Sequence, residues 1–111
     1  MISEDLETRA YEVFVYPNLA LIDINCKKLD LKDETIERAK VLAARYIEKT
    51  YHRPPYSHIK FLLPAFVYIE ALLNDDKRTQ SEVAEAFGVT ETVVRKWYAH
   101  IVKVMEIEII I

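Results

Sequence analysis

The stretch from Ser57 to Leu73 constrains this chain more than any other. Wound as a helix, Ile59, Phe61, Leu62, Leu63, Phe66, Val67, Ile69, Leu72 and Leu73 point in nearly every direction. A helix that is apolar on all sides has to be enclosed. This one falls short of the ~20 apolar residues needed to span a bilayer, so its surroundings must be other helices of the same molecule. Pro64 lies inside it and predicts a kink if the helix is continuous, because proline removes one hydrogen bond and crowds the preceding turn. A single glycine among 111 residues leaves little room for tight β-turns and points the same way. A chain of this length, 51% hydrophobic, is expected to be one domain with one core.

The enclosing helices are legible in part. Ile36, Ala39, Ala43, Tyr46 and Ile47 fall on one helical stripe, with Glu37, Arg38, Arg45 and Glu48 off it. Arg53-Pro54-Pro55 stops that helix, and Ser57 can cap the next. A shorter helix is expected over Leu19–Leu29. Residues 3–16 stay open: Ser3 before Glu4 and Asp5 reads as a helix start, whereas "YEVFVY" reads as a strand, and Pro17 ends whatever precedes it. The apolar, β-branched terminus "EIEIII" would be a sticky edge if bare. Pairing with "YEVFVY", pairing with a second copy in a homodimer, and packing on its own domain all remain open. The expected organisation is an N-terminal extension (1–16), a helical domain (17–105) and an apolar C-terminal segment (106–111).

The densest local signal is "RTQSEVAEAFGVTETVVRKWY". Thr79-Gln80-Ser81-Glu82 fits a capping box. A short helix follows with Val83, Ala84 and Phe87 inward, Gly88 ends it, and Thr90 caps another. Ala84, Gly88 and Val94 have helix-turn-helix spacing, with the motif over 79–104. On the second helix Val94, Trp97, Tyr98, Ile101 and Met105 line one face. Thr92, Arg95, Lys96, Ala99 and Lys103 line the other, with His100 at its margin. A helix with short polar residues near its start and basic ones beyond suits entry into a DNA major groove. Arg95 can bond a guanine in bidentate fashion, and Lys77, Arg78, Lys96 and Lys103 can pair with phosphates. With Thr79, Gln80 and Thr90 at the helix entrances, these form the candidate contact set. The plainer alternative is a capped helical hairpin with a solvated outer face.

The formal net charge of −3 weighs against indiscriminate nucleic-acid binding. The charge is uneven: residues 1–37 hold nine acids against four bases, and the remainder eleven bases against nine acids. Cys26 stands alone, so no internal disulfide forms, and a buried thiol in a reduced, cytoplasmic protein is expected. His52, His58 and His100 lack metal-ligand spacing, and no phosphate-binding loop, dinucleotide fingerprint or nucleophile elbow occurs. Neither an enzyme nor a cofactor is expected. Asp75-Asp76 reads as a solvated turn, and Tyr51, Arg53 and Tyr56 as part of a rigid loop packed on the core.

The segment "KRTQSEVAEAFGVTETVVRKWY", preceded by "YIEALL", resembles the second cyclin-like repeat of archaeal transcription factor B, a relative of general transcription factor IIB. The likeness runs from about Tyr16 to Ile107 and is most specific over Lys77–Tyr98. It implies an all-α, five-helix cyclin-like bundle with a buried third helix and a C-terminal helix-turn-helix, to which the patterns of "YEVFVY" and "EIEIII" add short β segments as an open option at the two ends. It further implies contact with a promoter element upstream of the TATA box, the base-reading arginine falling on Arg95 and a neighbouring contact on Thr92, which replaces a common aliphatic residue. The zinc ribbon's cysteines are absent and one repeat fits the length. The bulky "FLLPAF" stands where the family carries small residues, and "TYHRPPYSH" replaces a small, glycine-containing loop. Two readings follow: a sequence-specific module on double-stranded DNA, or an interaction module for TATA-binding protein, RNA polymerase or another factor.

Overall fold

In a computed structural model, residues 16–50 and 59–109 are described, and they form five helices. These are α1 (Tyr16–Cys26), α2 (Asp33–Lys49), α3 (Ile59–Leu73), α4 (Gln80–Phe87) and α5 (Glu91–Val104). No strand occurs among the described residues.

The enclosure expected for the third helix is present. Positions 62–67 of α3 are buried without interruption, which leaves no solvent side over more than a turn and a half. α3 touches each of the other four helices and meets α5 most extensively. Only its rim emerges: Phe61 and Leu73 are 37% and 45% exposed. The helix runs through Pro64 unbroken, with Pro64 itself buried. The amide that Pro64 lacks would have bonded the carbonyl of Lys60, which lies in the exposed first turn.

α2 buries Ala39, Ala43, Tyr46 and Ile47 as the stripe predicts, and leaves Glu37, Arg38, Arg45 and Glu48 exposed. Thr35 and Leu42 are also buried, whereas Ile36 is half-buried. α1 begins and ends one turn earlier than Leu19–Leu29, because Pro17 sits inside the first turn, where its missing amide is no loss, instead of ending the preceding segment. Leu29 and Leu31 then drop into the core from the turn that follows α1. Within that turn Asp30 is left-handed, with φ 52°. Cys26 is buried in the core, and burial, reinforced by the nearby Asp23 carboxylate, pushes its thiol up to about 12 despite Lys40.

After α5 the chain turns through Glu106, left-handed at φ 53°, and the Ile107 amide bonds the Val102 carbonyl at 3.0 Å. Ile107 and Ile109 then pack, half-buried, against the core of their own chain. For Ile107 and Ile109 this is packing on their own domain, while residues 110–111 and the candidate partner segment at 11–15 lie outside the described residues. The readings of residues 3–15, of Tyr51, Arg53 and Tyr56, and of His52 and His58 lie outside the described residues, and Tyr16 opens α1. Among the described residues no helix is long and apolar enough to cross a membrane.

Candidate nucleic-acid interface

The helix-turn-helix assembles from local signals. Thr79 Oγ1 accepts from the Glu82 amide at 3.0 Å, and the Glu82 carboxylate accepts from the Thr79 amide at 3.0 Å, completing the capping box. The Thr79 amide, and after it the Thr79 hydroxyl, bond the Glu82 carboxylate and hold that carboxyl below its usual range. Gly88 ends α4 at φ 68°, ψ 32°, and the Val89 amide closes back on the Ala84 carbonyl at 3.0 Å. Thr90 Oγ1 accepts from the Val93 amide at 3.3 Å and so starts α5.

A Cβ placed at Gly88 would meet nothing within 4 Å. The glycine therefore serves backbone conformation alone. Gly88→Ala is expected to cost about 1 kcal/mol and Gly88→Asn about half of that, since asparagine tolerates the left-handed region. Urea denaturation of the two variants checks the order.

α5 divides as its sequence predicts. Val94 and Ile101 are fully buried, and Trp97, Tyr98 and Met105 are half-buried. The Tyr98 ring meets Tyr68 of α3 edge-on at 5.1 Å. On the opposite side Thr92, Arg95, Lys96, Ala99 and Lys103 are all exposed. Arg95 Nη2 lies 3.9 Å from the Glu91 carboxylate, an exposed pair worth only about 0.3–0.5 kcal/mol and readily exchanged for another acceptor. Lys96 Nζ sits 5.0 Å from the centre of the Trp97 ring.

The rest of the candidate set separates by position. Lys77, Thr79 and Thr90 are exposed at the helix entrances, and Gln80 is half-buried in the first turn of α4. Both threonine hydroxyls accept from backbone amides, and that of Thr79 also bonds the Glu82 carboxylate. His100 is fastened to its own domain: Nε2 lies 2.9 Å from Tyr46 Oη, and the ring stands edge-on to Trp97 at 5.4 Å. Burial raises the Tyr46 phenol above its ordinary value, so it remains a hydroxyl at neutral pH. Arg78 is half-buried, with its guanidinium turned onto carbonyls of its own chain. The strip brought together on one surface is thus Thr92, Arg95, Lys96 and Lys103.

Asp76 departs from the solvated turn expected of it, although Asp75 beside it is exposed. Asp76 is buried and caps α2 from 44 positions away: its Oδ2 accepts from the Lys32 amide at 2.8 Å and from Thr35 Oγ1 at 3.0 Å. Lys32, the residue before α2, makes no cap with its own side chain. Burial alone would raise the Asp76 carboxyl, but those two bonds and the Arg78 charge outweigh it and hold the group below its ordinary 3.8. Lys49 acts similarly at the far end, donating from Nζ to the Val104 carbonyl at 2.7 Å. Among the described residues no group of three His, Cys, Asp or Glu is arranged to hold a metal ion.

Fold and site together define a five-helix bundle that carries an outward-facing helix-turn-helix. The family model described as the Transcription factor TFIIB repeat matches residues 18–104, and the chain belongs to that family. Over 88 residues it is 36% identical to a transcription initiation factor IIB of Methanosphaerula palustris and 34% identical to one of Methanosarcina mazei, covering 78% of this chain and 25% of each relative. A transcription initiation factor IIB of Sulfurisphaera tokodaii is 48% identical over 48 residues, 43% of this chain and 16% of the relative. The chain thus spans about a quarter of the length of the longer of these matches.

Proposed function

We propose that this chain is a sequence-reading DNA-binding module of transcription, which lays the N-terminal half of α5 in a major groove. The observation that carries this reading is the exposed strip Thr92, Arg95, Lys96 and Lys103 on a helix whose other face is anchored in the core. A rigid helix presents base-reading groups without the ordering cost of a loop. Arg95 reads a guanine through its planar fork, and Thr92 contacts the neighbouring base. Lys77, Lys96 and Lys103 pair with phosphates, while Thr79 and Thr90 meet the backbone where α4 and α5 begin, the Thr90 hydroxyl as a donor.

Selection of bound duplexes from a random pool with the purified chain tests this. One sequence is expected to be enriched. Arg95→Ala is then expected to lose about 1–3 kcal/mol of discrimination at one base pair, while Lys96→Ala weakens all sequences alike and flattens the log Kd–log salt slope by ~0.9.

A second reading has its own support. Ile24 and Val41, on α1 and α2, are 58% and 48% exposed, and Leu21 is 37% exposed. With the net charge of −3, these residues favour a protein partner such as TATA-binding protein or RNA polymerase. A selection that enriches nothing, together with loss of a partner's binding in Ile24→Asp, would establish this reading in place of the first.

A further inference from the structure

We propose that Arg78 is a positioning residue: it fastens the entry of the helix-turn-helix to the α1–α2 turn, sets the attitude of α4 and α5, and offers no contact to a phosphate. The inference rests on the DNA-reading role for its functional consequence, and on bond geometry for the clamp itself.

All three guanidinium nitrogens are engaged within the chain. Nε donates to the Leu29 carbonyl at 3.0 Å and Nη2 to the Asp30 carbonyl at 3.1 Å. Nη1 reaches the carbonyls of Lys77 at 3.0 Å and Asp76 at 3.2 Å, with Asp76 Oδ1 at 3.4 Å. The acceptors thus come from two segments almost fifty positions apart. One is the turn leaving α1; the other is the approach to Thr79, the N-cap of α4. Turning the head group out to a phosphate would strip four carbonyls of their donor, and those of Leu29 and Asp76 are part-buried, where an unmade bond is not fully replaced by water.

The clamp is itself held. Asp76, which meets Arg78, is pinned to the N-terminus of α2 through Lys32 and Thr35. Asp30 sits in a left-handed conformation at φ 52°, and Arg78 holds its carbonyl in place. α4 meets α1 only lightly, and this cluster ties the α1–α2 turn to the entry of α4, while Tyr46–His100 and Lys49–Val104 tie α2 to α5. Only a planar fork can address acceptors on several sides at once; a lysine ammonium supplies charge without that reach.

The test uses the full chain with Arg78→Ala and Arg78→Lys, and Lys96→Ala as the phosphate-contact control. In free protein, amide exchange at positions 83–89 is expected to speed at least tenfold in both Arg78 variants, with α3 amides unchanged. On the selected duplex both are expected to weaken binding severalfold at every salt concentration with the log–log slope unaltered, whereas Lys96→Ala flattens it by ~0.9. Unchanged exchange in α4 would overturn the clamp. A slope flattened by ~0.9 in Arg78→Ala, with affinity restored by Arg78→Lys, would make Arg78 a phosphate contact and overturn the proposal. If the unaltered chain binds no DNA, the reading of the preceding subsection fails, and the exchange measurement still decides the clamp.

Discussion

Phe66→Ala is expected to destabilise the domain by about 3–5 kcal/mol, a large part of the ~5–15 kcal/mol that holds a domain of this size folded. Phe66 is fully buried at the middle of α3, and its ring lies tilted against Tyr46 at 5.5 Å. The cost sits at the upper end because the site is ringed by helices on every side, so no wall can move in to fill the void. At roughly 4–8 °C per kcal/mol, the melting temperature should fall by well over 10 °C. Phe66→Leu, which keeps most of the volume, should cost about 1–1.5 kcal/mol. Denaturant titrations give both values, and an unchanged slope with denaturant would assign the loss to the native state. A loss below 1 kcal/mol for Phe66→Ala would mean that α3 is not the enclosed rod described above.

The second large effect lies at Asp76. Asp76→Ala removes the cap of α2 and strands a backbone amide, a buried hydroxyl and one side of Arg78, for an expected cost of about 2–4 kcal/mol. Asp76→Asn keeps an acceptor but not the charge and should cost about 1–2 kcal/mol. The pH dependence separates this from a packing defect. The folded carboxyl lies below its ordinary 3.8, so its contribution is fully present above that value and is lost as pH falls through the folded value. The stability gap between the unaltered chain and Asp76→Asn should therefore be constant from pH 5 to 7 and close progressively below about pH 3.8, as thermal melts across that range would reveal. A gap that does not shrink at all as pH falls below 3.8 would place the effect in shape, not charge.

What could be read in advance was local. The capping box, the Gly88 stop, the Thr90 cap and the two faces of α5 each depend on residues within a few positions of one another, and all are present. The burial of α3 was legible because an all-round apolar pattern admits few surroundings. What stayed hidden lay at a distance. Asp75-Asp76 looks like any acidic turn until Thr35 and the Lys32 amide, more than forty positions earlier, are brought beside it. Arg78 looks like a free cation in a basic cluster, because nothing nearby announces that its acceptors are the Leu29 and Asp30 carbonyls. His100 is exposed, in keeping with its place at the margin of the outer face, but its bond to Tyr46, 54 positions away, leaves no trace in the sequence. Pro17 misled for a different reason, since proline before and inside a first turn looks the same when the helix start is unknown.

The hub position of α3 also bears on how this chain is made. The greasy middle of α3 leaves the ribosome ahead of α4 and α5, and α5 is the neighbour that covers it most. For some seconds at ordinary elongation rates, the nascent chain therefore carries a bare apolar surface that only α1 and α2 can shelter. Chaperone occupancy during synthesis should peak in that interval and end when Ile101 arrives.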